Sequence, residues 1–156
     1  MTLSVLFVCL GNICRSPLAE AAFRQEAGRT GLDVEIDSAG TGDWHLGHAP
    51  DVRAQATASR NGLDISTYRA RQVSAEDFRR FDHIIALDAK NLADLKAMQP
   101  EGSRAALSLL LDHVEGREGQ AVADPYYGDE AGFDVTWAEV TAGAEGLARR
   151  IGQARG

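Results

Sequence analysis

The stretch that decides the fold, residues 5–17, reads Val5-Leu6-Phe7-Val8-Cys9-Leu10-Gly11-Asn12-Ile13-Cys14-Arg15-Ser16-Pro17. Its opening residues are apolar, with β-branched and aromatic side chains, which is typical of a strand buried on both faces. A short loop follows, and a helix is predicted to begin with Ser16 as its N-cap and Pro17 at its first position. The loop thus gathers a thiol, backbone N–H groups and a guanidinium around a volume suited to a tetrahedral oxyanion such as a phosphoryl group.

The rest of the chain alternates between strand and helix patterns. Strands are predicted at residues 3–8, 33–38, 82–87 and within 105–111, and helices at 16–28, 51–60, 89–98 and 133–151, with a helical turn near 74–77. This alternation predicts a single α/β domain, residues 1–156, with a parallel sheet and right-handed crossovers. Ligands of such sheets bind at the carboxyl ends of strands, where Cys9 lies.

The composition narrows the range of functions. Cys9 and Cys14, the two cysteines, both lie in the opening stretch, which favours chemistry over a disulfide framework, and their spacing does not fit a thiolate metal site. The formal net charge of −7 disfavours nucleic acid and anionic membranes as partners. Neither a signal peptide nor an apolar run of membrane-spanning length is evident, so we expect a cytoplasmic protein.

The loop between strand and helix has the residues that a nucleophilic anion site needs. A cysteine and an arginine in this spacing occur by chance in many chains, but here the helix N-terminus and Arg15 favour the thiolate form of Cys9. The Ser16 hydroxyl is placed to donate to that sulfur. Gly11 and Asn12 tolerate the left-handed conformation that aims successive N–H groups inward. Arg15 offers a planar fork for two phosphate oxygens.

A thiolate that attacks phosphorus requires an acid to protonate the leaving oxygen. Asp124 is the candidate, because Pro125 fixes the backbone beside it, although the same pair is also typical of an ordinary turn. Spacing alone leaves four competing carboxylates, which are Asp37, Asp43, Asp51 and Asp129.

Five segments resemble one known family in their order along the chain. They are residues 8–21, Asp37-Ser38-Ala39-Gly40-Thr41 with Trp44, Arg69-Ala70-Arg71-Gln72, residues 82–88, and Asp124-Pro125-Tyr126-Tyr127. Together they resemble the low-molecular-weight protein tyrosine phosphatases over essentially the whole chain. The resemblance implies a three-layer sandwich with a central four-stranded parallel sheet flanked by helices. It also implies hydrolysis of phosphotyrosine in proteins, a tyrosine kinase among the candidate partners, without metal or cofactor.

The resemblance assigns roles residue by residue. Cys9 matches the family nucleophile, Arg15 its phosphate clamp and Asp124 its general acid. The phosphate-binding loop then comprises Leu10, Gly11, Asn12, Ile13, Cys14 and Arg15. The residues that hold the loop's shape are Asn12, Ser16 and Ser38. The walls of the substrate cleft are Ile13, Trp44, Tyr126 and Tyr127, and His45 is a further residue that could touch substrate.

The sequence also allows predictions for three side chains other than the nucleophile, the phosphate clamp and the acid. Relatives often have a histidine where this chain has Tyr68, so the network around the loop asparagine lacks that partner here. Cys14 is either a small buried filler or a partner that traps oxidised Cys9 as a disulfide. His113 is expected to be solvated.

Three other functions compete with phosphotyrosine hydrolysis. Arsenate reductases of this fold need additional cysteines, and this chain has two. Protein arginine phosphatases usually carry a threonine where this chain has Ile13, and lack paired tyrosines after the acid. An inactive phosphate-binding module would not need the nucleophile, the clamp and the acid together.

Overall fold

A computed structural model of the protein describes residues 2–155 and contains a four-stranded parallel sheet. The strands are β1 (Leu3–Cys9), β2 (Val34–Gly40), β3 (His83–Ala86) and β4 (Ala106–Leu109), in the order β2-β1-β3-β4. The predicted fold class is therefore confirmed.

The helices flank the sheet on both faces. They are α1 (Arg15–Thr30), α2 (Val52–Arg60), α3 (Asp77–Arg80), α4 (Ala89–Met98) and α5 (Glu130–Arg155), with a 3-10 turn at Leu110–His113. No helix within residues 2–155 combines the length and the apolar character that crossing a membrane requires.

The central strand β1 is buried on both faces, as its apolar run predicts. Val5 and Phe7 pack into the core formed with α1, α2 and α5, while Leu6 and Val8 pack into the second core with α3 and α4. All four side chains are fully buried. Because successive side chains of a strand point to opposite faces, this burial fixes a layer of helices on each side of β1.

The start of α1 differs from the prediction. The helix begins at Arg15, so Ser16 is already helical and Pro17 is the third helical residue rather than the first. No side chain caps this end; the Ser16 hydroxyl instead lies 3.0 Å from the Cys9 sulfur. The preference of serine for the N-cap is not expressed because the Ser16 hydroxyl is engaged by the Cys9 thiol and the Asn12 side chain.

The parallel register brings the carboxyl ends of β1 and β2 side by side. Cys9 is paired with Gly40, and the backbone N–H of Gly42 donates to the carbonyl of Leu10. A Cβ atom at Gly40 would lie only 2.7 Å from that carbonyl oxygen. The loop after β1 can therefore rest directly on β2 only because residue 40 has no side chain.

The expectation that His113 is solvated is wrong. Its ring nitrogens contact the Ser108 hydroxyl at 2.9 Å and an Arg150 guanidinium nitrogen at 3.3 Å, because the 3-10 turn places the ring beneath α5. Burial and, to a lesser degree, the nearby Arg150 charge together lower the pKa of His113 to about 4. The imidazole is therefore neutral at pH 7 and acts as a packing residue.

The contact between the 3-10 turn and α5 depends on a glycine. Alanine normally stabilises a helix interior by about 0.8–1.0 kcal/mol relative to glycine. At Gly146, however, a Cβ atom would lie 2.0 Å from the His113 carbonyl oxygen. We expect Gly146→Ala to reduce the free energy of unfolding by about 1–3 kcal/mol, the usual cost of overpacking.

Gly152 on the same helix is the matched control, because the nearest atom to its added Cβ is Leu32 Cδ2 at 3.9 Å. Gly152→Ala should raise the free energy of unfolding by up to about 1 kcal/mol. Urea unfolding followed by circular dichroism measures both variants. A stabilising Gly146→Ala would show that the turn does not press on α5.

Candidate active site

The Cys9 thiol lies at the floor of the loop that joins β1 to α1. It is only 4% exposed, and its sulfur accepts a hydrogen bond from the backbone N–H of Asn12 at 3.3 Å. The Ser16 hydroxyl contacts the same sulfur at 3.0 Å. Two groups able to donate to a thiolate therefore converge on the atom predicted to be the nucleophile.

Asn12 sets the shape of this loop. With a φ of 57° it is, within residues 2–155, the one non-glycine residue in the left-handed region, which asparagine tolerates better than most residues. Its side-chain amide donates to the hydroxyls of Ser16 at 2.8 Å and Ser38 at 3.0 Å. Its side-chain oxygen accepts from the backbone N–H of Arg71 at 3.0 Å. The side chain thus holds the loop from behind, facing away from the cleft.

The structure gives the Asn12 side chain its hydrogen-bond partners without a histidine at position 68. The Ser38 hydroxyl donates to Glu20 at 2.7 Å, and Glu20 accepts from Arg24 at 2.9 Å. Burial raises the pKa of the Glu20 carboxyl, although hydrogen bonds from Ser38 and Arg24 oppose that effect. The contributions of Glu20 and Arg71 were not foreseen, because neither is adjacent to the loop in sequence.

The Arg15 guanidinium is held in place from below and is only 4% exposed. One terminal nitrogen, Nη1, donates to Asp88 at 2.9 Å and to the Val122 carbonyl at 3.1 Å. Asp88 is a site residue that the sequence motifs did not predict. The available signal was its position two residues after the end of β3, because ligands bind at the carboxyl ends of strands in such sheets.

Asp124 faces the other terminal nitrogen of Arg15. Its carboxylate oxygen Oδ2 lies 3.6 Å from Nη2, and its Oδ1 accepts from the backbone N–H of Tyr126 at 3.1 Å. The side chain is 45% exposed, so it remains open to a ligand. Two of the competing carboxylates are engaged elsewhere, since Asp37 pairs with Arg71 and Asp51 pairs with Arg53.

A cleft of about 400 Å³ brings most of the predicted site residues together. Its lining comprises Cys9, Leu10, Gly11, Ile13, Cys14, Arg15, Trp44, His45, Asp124, Tyr126 and Tyr127. Three predicted site residues do not line it: Asn12, Ser16 and Ser38 lie behind the loop. The competing carboxylates, Asp37, Asp43, Asp51 and Asp129, do not line it either. Asp124 is thus the aspartate that the tertiary structure brings to the thiol's cleft.

The walls of the cleft are apolar and project into solvent. Trp44 is 67% exposed and Tyr127 is 94% exposed, while Ile13 is almost fully buried at the base. The rings of Tyr126 and Tyr127 meet edge to face, with centroids 4.9 Å apart. Exposed aromatic rings above a polar floor suit a ligand with a flat apolar body and an anionic end.

Cys14 also lies in the loop, with 5% of its surface exposed. Burial raises the pKa of its thiol far above the usual range, and the Asp51 carboxylate raises it further. Cys14 therefore remains a protonated thiol at neutral pH. Cys9 and Cys14 are both free in the structure.

The arrangement is suited to chemistry on a tetrahedral oxyanion. The loop N–H groups and Arg15 can supply positive charge, and Cys9 and Asp124 line the same cleft. Across residues 2–155, no group of three or more histidine, cysteine, aspartate or glutamate side chains is placed to hold a metal ion.

The chain matches the sequence model described as "Low molecular weight phosphotyrosine protein phosphatase" over residues 4–155. It is 46% identical over 134 residues to the Schizosaccharomyces pombe protein of that name, covering 84% of this chain and 85% of the relative. It is 43% identical over 151 residues to the Bacillus subtilis low molecular weight protein-tyrosine-phosphatase YfkJ, covering 96% of each chain.

Solved structures agree with these sequence matches. The crystal structure of the Bacillus subtilis YfkJ superposes with a TM-score of 0.91 at 41% identity, over 100% of this chain and 98% of the other. The Drosophila arginine phosphatase superposes with a TM-score of 0.89 at 32% identity, over 94% and 96% of the two chains. The chain therefore belongs to the low molecular weight phosphotyrosine protein phosphatase family.

Proposed function

We propose that this protein is a tyrosine phosphatase that hydrolyses phosphotyrosine monoesters in proteins through a phosphocysteine intermediate. The observation that carries the proposal is the convergence of Cys9, Arg15 and Asp124 on one cleft, with the Asp124 carboxylate 3.6 Å from the Arg15 guanidinium. An inactive phosphate-binding module would have no use for a nucleophile and an acid in the same cleft. The family to which the chain belongs supports the same activity.

In the first step the Cys9 thiolate attacks phosphorus, the S–P bond forms and the bond to the tyrosyl oxygen breaks. Asp124, entering the step protonated, gives its proton to that oxygen, so the phenol leaves neutral. Arg15 and the loop N–H groups hold the phosphoryl oxygens throughout, with Arg15 binding two of them in its planar fork.

In the second step Asp124, now a carboxylate, takes a proton from a water molecule whose oxygen attacks the phosphocysteine. The P–S bond breaks, inorganic phosphate forms and Cys9 leaves as a thiolate. The Ser16 hydroxyl, 3.0 Å from the sulfur, and the Asn12 N–H group stabilise that leaving thiolate. Both steps use side chains and water, and need no metal or cofactor.

The cleft favours an aryl phosphate over a phosphorylated guanidinium. Ile13 adds an apolar side chain to the lining of the cleft, and the exposed rings of Trp44, Tyr126 and Tyr127 can flank a phenyl ring. The similarity to the Drosophila arginine phosphatase makes phosphoarginine the second candidate substrate. The partners are then phosphotyrosine-containing proteins, with a tyrosine kinase as one candidate and the cytoplasm as the location.

Replacing the nucleophile tests this proposal directly. We expect the wild-type protein to hydrolyse a phosphotyrosine peptide near neutral to mildly acidic pH, and Cys9→Ser to abolish turnover. Phosphate release from matched phosphotyrosine and phosphoarginine peptides is the measurement. Equal activity of the two proteins would refute the mechanism, and faster turnover of phosphoarginine would transfer the assignment to that substrate.

Removing the acid should slow turnover without abolishing it. For Asp124→Asn we expect kcat on phosphotyrosine to fall by about 10²–10⁴-fold, the usual effect of losing a general acid. Asp129→Asn is the matched control, because Asp129 belongs to the same segment but does not line the cleft. Steady-state kinetics decide the outcome, and an unchanged kcat for Asp124→Asn would remove Asp124 from the role.

We also propose that Cys14 protects oxidised Cys9. After peroxide converts Cys9 to a sulfenic acid, the Cys14 sulfur attacks it, an S–S bond forms and water leaves. Because burial raises the pKa of Cys14, we expect this disulfide to form faster as pH rises. After peroxide treatment, dithiothreitol should restore the activity of the wild-type protein. For Cys14→Ser it should restore only a small part of the activity measured before treatment.

Peptide mass mapping after peroxide treatment provides the direct evidence. A Cys9–Cys14 disulfide should be found in the wild-type protein. If the bond is missing, or if Cys14→Ser recovers as fully as the wild type, Cys14 is a packing residue and nothing more.

A further inference from the structure

Arg53, in the first turn of α2, contacts the segment that carries Asp124. Its Nη2 donates to the Tyr126 carbonyl at 2.9 Å, and its Nη1 donates to the Gly128 carbonyl at 3.0 Å. The guanidinium also lies over two rings, 4.8 Å from the Phe133 centroid and 5.8 Å from that of Tyr126. One side chain therefore binds the backbone of this segment at two points just after Asp124.

Arg53 is itself fixed by Asp51. Its Nε and Nη2 donate to the two carboxylate oxygens at 3.1 Å each, and its backbone N–H donates to the same carboxylate at 2.8 Å. The hydrogen bond from Arg53 keeps the pKa of the Asp51 carboxyl below its usual range, so the pair is charged at neutral pH. The Asp51 N–H donates to the Ile13 carbonyl at 2.9 Å. This bond joins the pair to the loop of residues 10–15 between β1 and α1, here called the anion-binding loop.

The segment is attached to the fold on both sides of Asp124. Before it, the Ala123 N–H donates to Glu139 at 3.0 Å and the Ala123 carbonyl accepts from Thr136 at 3.0 Å, both on α5. On the other side of Asp124, Arg53 binds the segment and connects it, through Asp51, to the anion-binding loop. Asp124 has 45% of its side chain exposed, so packing alone does not hold its carboxylate in place.

We propose that Arg53 is a positioning residue for the proposed phosphatase reaction: by holding the Tyr126 and Gly128 carbonyls, it keeps Asp124 beside Arg15 for proton transfer. This inference rests on the proposed function. Arg53 does not line the cleft, so it acts through Asp124 and not on the substrate. Tyr126 connects the two side chains: its backbone N–H donates to the Asp124 carboxylate, and its carbonyl accepts from Arg53.

A residue that acts through the acid has a recognisable kinetic signature. Proton donation matters most when the leaving phenol is a strong base, and matters little when the phenol is already acidic. A residue that merely stabilises α2, or that shapes the anion-binding loop, would change turnover of both kinds of substrate equally. The discriminating quantity is therefore the ratio of kcat/KM for phenyl phosphate to that for 2,4-dinitrophenyl phosphate.

Arg60 supplies the matched control. It lies on the same helix and also joins α2 to α5, through Asp134 at 2.9 Å, but it has no contact with the segment that carries Asp124. Arg60→Met removes the same charge and the same kind of ion pair as Arg53→Met. Any general effect of losing an arginine from α2 will therefore appear in both variants.

We expect Arg53→Met to lower kcat/KM for phenyl phosphate by about 10–100-fold, the scale of a small misplacement of a catalytic group. Its kcat/KM for 2,4-dinitrophenyl phosphate should stay within about threefold of wild type, which is about half of a tenfold step on a logarithmic scale. Asp124→Asn should show the same substrate dependence more strongly, and Arg60→Met should match wild type on both substrates. Arg53→Lys should fall between, because an ammonium cannot bind both carbonyls and the Asp51 carboxylate in one plane.

Two further measurements keep the result interpretable. Competitive inhibition by inorganic phosphate reports the anion-binding loop and should be the same for wild type and Arg53→Met, and thermal melting verifies folding. If Arg53→Met does not fold, Arg53→Lys carries the test because it retains the charge and most of the side chain.

Equal losses on both substrates, weakened phosphate inhibition, or no loss on phenyl phosphate would overturn the role of Arg53. None of these outcomes would affect the proposed function. If wild type hydrolyses neither substrate, the proposed function fails, and the role of Arg53 fails with it.

Discussion

Asn12 and the three hydrogen bonds of its side chain are the constraint on which the rest of the site depends. Its left-handed backbone turns the loop after β1, and its side chain holds Ser16, Ser38 and the Arg71 backbone from behind. Leaving one buried polar partner unpaired costs about 1–3 kcal/mol, so the loop has little freedom to change shape. The Asn12 N–H group and the Ser16 hydroxyl are thereby aimed at the Cys9 sulfur.

The charges of the site are arranged around the buried Arg15 guanidinium. The Asp88 carboxylate lies 2.9 Å from Nη1 of Arg15, and its side chain is 25% exposed. The Asp124 carboxylate lies 3.6 Å from Nη2, and its side chain is 45% exposed. The closer carboxylate fixes the arginine, and the farther, more exposed one remains accessible to a ligand. In the proposed phosphatase site, Arg15 would thus supply local positive charge in a chain whose formal net charge is −7.

The fold was largely predictable because its signals are local and repeated. The apolar run of β1 and the regular spacing of apolar residues in the helices place each element to within a few residues. The predictions for Ser16 and His113 were wrong because a tertiary partner outweighed a local preference. Ser16 contacts the thiol instead of capping its helix, and His113 is covered by α5 instead of by water.

The sequence alone determined the strand, the loop and the helix that place Cys9 and Arg15 together, since the residues responsible are neighbours along the chain. It also determined that Asn12 would tolerate the left-handed turn. Only the tertiary structure decided which carboxylates meet Arg15, because Asp88 follows β3 and Asp124 lies in the loop before α5, both far from Arg15 in sequence. The same holds for Arg53, whose contacts with the Asp124 segment depend on how α2 packs beside that segment.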